Sequence, residues 1–203
     1  MFYSQYEEDV LIRDFFKNKE KGVLIDVGAA DGIRYSNSRH FITELGWRGT
    51  LVEPHPNYFE SLRSLYADSK DITLLQCAVG AEAGKAPFYL FGRDEHAQVS
   101  TLSSDFKDRV ISVHGNKYEA EPLIVDVLTL EDILSKTEHV DFLSIDCEGI
   151  DMLVLQSNDW QLYRPKLVCV EHSMPMHELH NFMISANYNF LTSTIGNSIF
   201  YRV

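Results

Sequence analysis

Short apolar runs alternate with amphipathic stretches along this chain. In Gly22–Val27 four of six residues are Val, Leu or Ile, and Gly28 follows, the pattern of a buried strand. Asn37–Leu45 places Phe41, Ile42 and Leu45 at helical spacing before Gly46, a natural helix stop. Thr50–Glu53 reads as a second strand ending at Pro54, and Asn57–Ala67 as a helix with Phe59, Leu62, Leu65 and Tyr66 on one side. Strands are predicted at Ile72–Leu75, Val140–Ile145 and Lys166–Val170, with helices at Ile150–Gln156 and Met176–Ser185. Tyr188–Ser193 and Ser198–Val203 close the chain as a hairpin around Gly196-Asn197.

Such alternation predicts an α/β, doubly wound, Rossmann-like fold, a mostly parallel sheet with helices on both faces. Ligands of such sheets lie beyond the carboxyl ends of the strands, so residues that end strands should line a site. Two stretches stand outside the alternation. Ser4 to Glu7 has the spacing of a capping box and opens a leading helix within residues 1–20, with Tyr6, Val10, Leu11, Phe15 and Phe16 on its apolar side. Residues 92–122 form a polar interruption, read as a substrate-facing loop or insertion.

At 203 residues the chain is the size of one domain, 1–203, and its 45% hydrophobic content fills a core. The net charge of −12 counts against nucleic acid and anionic membrane as partners. Cys77, Cys147 and Cys169 are far apart and lack zinc spacing, as expected of reduced thiols in a cytoplasmic protein. No secretory signal or membrane span is expected.

The sharpest chemical signal is Asp26-Val27-Gly28-Ala29-Ala30-Asp31-Gly32, a small-residue turn directly after the first strand. Small residues let the backbone approach a ligand closely. Glu53 ends the next strand, where a carboxylate accepts hydrogen bonds from both hydroxyls of a ribose. The acids at Asp26 and Asp31 would repel a pyrophosphate, so a ribose-bearing, cationic cofactor without phosphate suits the turn better. S-adenosylmethionine is such a molecule. A plain structural turn is the competing reading of the glycines alone. Cys77-Ala78-Val79-Gly80 places small side chains where an adenine would lie, or is simply a strand entering a turn.

Asp146-Cys147-Glu148-Gly149 and Glu171-His172 end two further apolar strands. Buried carboxylates are costly unless paired or coordinated. One reading is a divalent metal such as magnesium held by Asp146, Glu171 and His172. Another is general-base catalysis by Asp146, Glu148 and His172. A third is solvated acids capping the following helices. The remaining histidines show no metal-binding pair.

Taken in order, these residues resemble the FkbM-type S-adenosylmethionine-dependent methyltransferases, a branch of the class I methyltransferase fold. The resemblance rests on Ser4-Gln5 with Glu8-Asp9, Asp26–Gly32, Glu53-Pro54, Ala78-Val79-Gly80, Val127–Ile133 and Ile145–Gly149. The family's turn usually has Asn where this chain has Ala30. The resemblance implies a seven-stranded sheet whose last strand is antiparallel, and methyl transfer to a hydroxyl of a small molecule, sugar or glycan. It implies cofactor contacts from Asp26, Gly28, Ala29, Ala30, Asp31, Gly32, Glu53, Pro54, Ala78, Val79 and Asp146, with Gln5 toward the acceptor. Some similar O-methyltransferases hold a metal at the positions of Asp146 and Glu171, and others use a histidine base nearby. A non-catalytic nucleotide- or sugar-binding module of the same fold is the alternative. A dinucleotide-dependent oxidoreductase fits less well, because the glycine-rich phosphate loop is missing. Nothing in the sequence indicates an oligomeric state.

Overall fold

A computed structural model describes residues 1–91, 98–114 and 120–203. The central sheet is built from β1 (Val23–Val27), β2 (Arg48–Val52), β3 (Ile72–Leu75), β7 (Phe142–Ile145), β8 (Leu167–Glu171), β9 (Tyr188–Ser193) and β10 (Asn197–Arg202). Their order across the sheet is β3-β2-β1-β7-β8-β10-β9. The pairs β2–β3, β1–β2, β1–β7 and β7–β8 are parallel, and β10 is antiparallel to both its neighbours. β10 therefore runs against the other six, as expected for the last strand.

Consecutive strand residues face opposite sides, which divides the core in two. Leu24, Leu51, Phe142, Leu167 and Cys169 meet Ile12 of α1 (Glu8–Phe15), Phe41 of α2 (Arg39–Leu45) and Leu62 of α3 (Pro56–Leu65). Ile25, Val27, Leu143, Ile145, Val168 and Val170 meet α5 (Leu130–Leu134), α6 (Asp151–Gln156) and α7 (Met176–Ser185) on the other face. Parallel strands buried on both faces explain why their sequences are apolar runs rather than alternating patterns.

At the amino-terminal edge of the sheet, the buried Asp141 carboxylate holds Lys19 Nζ at 2.7 Å, Lys166 Nζ at 3.0 Å and the Val23 amide at 3.1 Å. Burial raises its carboxyl, but hydrogen bonds from Lys19, His139 and Lys166 outweigh that and hold it well below the usual carboxylate range.

Two expectations are corrected. Residues 92–122 are not one loop: they contain α4 (Ser104–His114), and part of them joins a second, three-stranded sheet. In that sheet β6 (Ala120–Leu128) lies between β4 (Ala78–Val79) and β5 (Gly84–Phe91), parallel to β4 and antiparallel to β5. Residues 92–97 and 115–119 of the interruption lie outside the described residues. The capping box is absent. Glu7 sits in a left-handed conformation with φ 66° and makes no side-chain cap, and Ser4 Oγ instead donates to Asp9 at 2.7 Å. The fully buried apolar residue of α1 is Ile12, which falls between the predicted positions. Elsewhere the strand and helix ends shift by two residues or fewer, Asn197 entering β10 instead of the hairpin turn. Among the described residues no helix is long and apolar enough to cross a membrane.

Candidate active site

Beyond the carboxyl ends of β1, β2 and β7 lies a cleft of about 1040 Å³ including its open mouth. Its floor is the turn after β1. Gly28 and Ala29 amides both donate to the Val52 carbonyl, at 3.0 and 3.1 Å. Gly28 has φ +85°, and a Cβ there would lie 1.9 Å from the Asp146 carbonyl oxygen. Only glycine lets the turn pass between the ends of β2 and β7. Ala30 is left-handed at φ 47°, and its amide donates to Glu53 Oε2 at 2.8 Å. Asp31 accepts from the Ile33 and Arg34 amides, both at 2.8 Å, and so turns the chain toward α2. Asp31 and Gly32 shape the turn from behind; neither lines the cleft.

Asp26 points into the cleft from β1 and accepts from Ser38 Oγ at 2.6 Å. Burial pushes its carboxyl up to about 6, against hydrogen bonds from Ser38 and Ser144. Glu53 follows β2, its Oε1 accepting from the His55 amide at 2.7 Å. Burial, with the charges of Asp26 and Asp31 adding, raises Glu53 to about 7 against its two backbone hydrogen bonds. Pro54, Cys77, Ala78, Val79, Phe88 and Leu102 give the neighbouring wall an apolar character.

The third wall is acidic. Burial and the charges of Asp151 and Asp26 push Asp146 up to about 7. Burial and then Asp146, Glu148 and Asp151 push Glu171 up to about 11. Glu148, left-handed at φ 50°, is raised well above the carboxylate range by burial and by Asp146 and Asp151. Among the described residues, oxygens of Asp146, Glu148 and Glu171 lie within 4.8 Å of one another. Glu171 Oε2 is buried without a hydrogen-bond partner. Three converging carboxylates can share protons or hold a hard divalent cation.

His172 is not part of this set. Its Nε2 pairs with Ser198 Oγ at 2.8 Å, its amide donates to the Gly196 carbonyl, and it does not line the cleft. Glu171 and His172 are consecutive at a strand end, so one facing the cleft turns the other away. Glu148 takes the place among the clustered acids that was expected of the histidine.

Sequence reasoning missed Asp151. It is fully buried at the start of α6 and accepts from the Cys147 amide at 2.7 Å, the Gly149 amide at 3.3 Å and Ser173 Oγ. Its signal is an Asp at the first turn of a helix, just after the left-handed Gly149. Tyr35, Asn37 and Tyr58 also line the cleft without a motif to announce them.

The family model of the methyltransferase FkbM domain matches residues 26–191. The chain belongs to the FkbM methyltransferase family. Among solved structures it is similar to an FkbM methyltransferase from Methylobacillus flagellatus KT, at 17% identity and TM-score 0.57 over 91% of this chain. The chain spans 44% of that protein's length. It also matches a methyltransferase from Geobacter sulfurreducens at 10% identity and TM-score 0.53, covering 99% of this chain and 80% of that one. A TehB-like SAM-dependent methyltransferase from Corynebacterium glutamicum matches at 8% identity and TM-score 0.51, covering 98% of this chain and 88% of that one. No curated protein matches. The shared architecture is the class I, S-adenosylmethionine-dependent methyltransferase fold.

The acidic cleft of this FkbM domain has a stability consequence. Asp26, Glu53 and Asp146 titrate near 6, 7 and 7 against ordinary values of 3.8, 4.5 and 3.8. Between those limits the folded chain binds more protons than the unfolded one, so unfolding free energy falls as pH rises. The melting temperature of the ligand-free protein should be higher at pH 5 than at pH 8. A melting temperature that stays level or rises across this interval would contradict the raised carboxyls.

Proposed function

We propose that the protein transfers a methyl group from S-adenosylmethionine to a hydroxyl oxygen of a small molecule, sugar or glycan. The observation that carries this reading is the pairing of Gly28's side-chain-free turn with the Glu53 carboxylate across one cleft. The residues fit the cofactor. The glycine turn admits close backbone approach, Glu53 can accept from ribose hydroxyls, and the surplus of carboxylates suits a cationic sulfonium. Ala78, Val79 and Pro54 offer a flat apolar wall for the adenine. When bound, the cofactor supplies an electrophilic methyl group whose displacement leaves a neutral thioether.

The chain's own contribution is position and a proton acceptor. Asp26, Gly28, Ala29 and Ala30 hold the amino-acid end, with Asp31 and Gly32 fixing the turn. Gln5 meets the acceptor, and the Asp146 carboxylate, the least raised of the acidic trio, takes the hydroxyl proton, with Glu148 and Glu171 beside it; His172 is left out. Holding acceptor and methyl donor together is worth several kcal/mol of barrier. The same trio offers oxygen ligands for a divalent metal such as magnesium, its oxygens lying within 4.8 Å of one another. The three free thiols agree with a reducing, cytoplasmic setting.

The test is methyl transfer from labelled S-adenosylmethionine to a panel of sugars and small hydroxyl compounds. It is run with untreated protein, after chelation, and after magnesium is restored. Activity lost on chelation and recovered with magnesium is expected. Full activity after thorough chelation assigns the trio to proton transfer alone. Binding of S-adenosylhomocysteine without transfer to any compound would favour the non-catalytic module.

A further inference from the structure

Glu8 and Asp9 are fully buried carboxylates that do not line the cleft. Both lie in the first turn of α1, and their side-chain partners come from residues 3–6, which include the cleft-lining Gln5, and from Thr194 and Asn197. Asp9 Oδ2 accepts from the Tyr3 amide at 2.6 Å and the Ser4 amide at 3.3 Å, and Asp9 Oδ1 accepts from Ser4 Oγ at 2.7 Å. Glu8 Oε2 accepts from the Tyr6 amide at 2.9 Å. Glu8 Oε1 accepts from Thr194 Oγ1 at 2.6 Å, in the turn joining β9 to β10, and from Asn197 Nδ2 at 2.9 Å, at the start of β10. Between these anchors, Gln5 lines the cleft.

Residues 3–6 reach from the cleft wall at Tyr35 to the β9–β10 turn, which lies outside the cleft lining. Ser4 forms a parallel bridge with Tyr35, which lines the cleft. Tyr6 lies so close to Gly196 that a Cβ there would be 3.0 Å from its ring. Without the carboxylates, three backbone amides of this short segment would lose their partners. Two buried charges on a helix start are costly, and the helix amino terminus and six hydrogen bonds offset that cost.

We propose that Glu8 and Asp9 are positioning residues. They clip residues 3–6 in place beside the cleft and hold Gln5 against the bound cofactor and acceptor. This rests on the cofactor reading above. Asp9 sets the Tyr35 bank, and Glu8 ties the same strap to the β9–β10 turn.

Two measurements on the full chain test this: amide exchange at Tyr3, Ser4 and Tyr6, and calorimetric affinity for S-adenosylhomocysteine. Asp9→Ala is expected to speed exchange at Tyr3 and Ser4 and to weaken affinity about tenfold. Asp9→Asn keeps an acceptor oxygen and should restore most of both. Asp9→Ala should add nothing further once Gln5→Ala is present, because it acts through Gln5. Ser4→Ala, which removes the hydroxyl's bonds to Asp9 Oδ1 and from the Asp9 amide but leaves the carboxylate its two backbone donors, should give the same pattern more weakly if Asp9→Ala fails to fold. Unchanged exchange, unchanged affinity, or losses that add to those of Gln5→Ala would overturn the proposal. If the unsubstituted protein does not bind S-adenosylhomocysteine, the cofactor reading and the Gln5 role fail together. The exchange data then decide only whether the clip exists.

Discussion

Gly28→Ala is expected to cost about 4 kcal/mol of unfolding free energy and to abolish binding of S-adenosylhomocysteine. Two effects combine there. The backbone is left-handed at φ +85°, and the added methyl would stand 1.9 Å from the Asp146 carbonyl oxygen. That oxygen is not on a flexible side chain. It belongs to the end of β7, whose Ile145 is paired with Val27 and whose Asp146 amide donates to the Val27 carbonyl at 3.0 Å. Relief requires prying apart two central strands at the cofactor edge. Gly46 separates the two contributions, because it is also left-handed at φ +64° but has nothing within 4 Å. Gly46→Ala should cost about 1 kcal/mol, the backbone effect alone. Urea unfolding of both variants decides the matter: equal losses would show that the approach to Asp146 is unimportant.

The sheet was legible because its strands are apolar runs bounded by turn residues. Ile72–Leu75, Met176–Ser185 and Tyr188–Ser193 fall where the pattern puts them. α4 was overlooked although Phe106, Val110 and Val113 stand at helical spacing, because the polar residues around it read as one interruption; its Phe106 packs over Gly149. Ser4 to Glu7 had the right letters for a cap, but Asp9, one turn further on, takes the serine. Local spacing cannot reveal that competition, since it depends on how the chain enters the helix. In the site, Asp26, Glu53 and Asp146 were readable as acids ending strands. Which of Glu148, Glu171 and His172 face one another depends on strand alternation and on the left-handed turn at Glu148. Adjacency in sequence grouped His172 with Asp146 and Glu171, whereas the fold turns His172 toward Ser198 and brings Glu148 to the two acids.

Glu53→Ala is expected to weaken S-adenosylhomocysteine binding on the order of 100-fold, and Glu53→Gln about tenfold. The carboxylate has two duties. It holds the Ala30 and His55 amides, which fixes the turn against the end of β2, and it keeps lone pairs for two ribose hydroxyls. Alanine removes both duties. Glutamine keeps one acceptor oxygen and turns a donor toward one of the amides. Because Glu53 titrates near 7, protonation below that pH places a donor where an acceptor is needed. Affinity of the unsubstituted protein should therefore fall as pH drops from 8 to 6. Glu53→Gln cannot ionise there, so it should show a shallower dependence, set by the remaining acids. Calorimetry at both pH values reads the two effects separately. Unaltered affinity in Glu53→Ala would remove this residue from the ribose role. A loss in Glu53→Ala with full recovery in Glu53→Gln would leave it only the turn, since a neutral amide serves one backbone donor but poorly serves two hydroxyls.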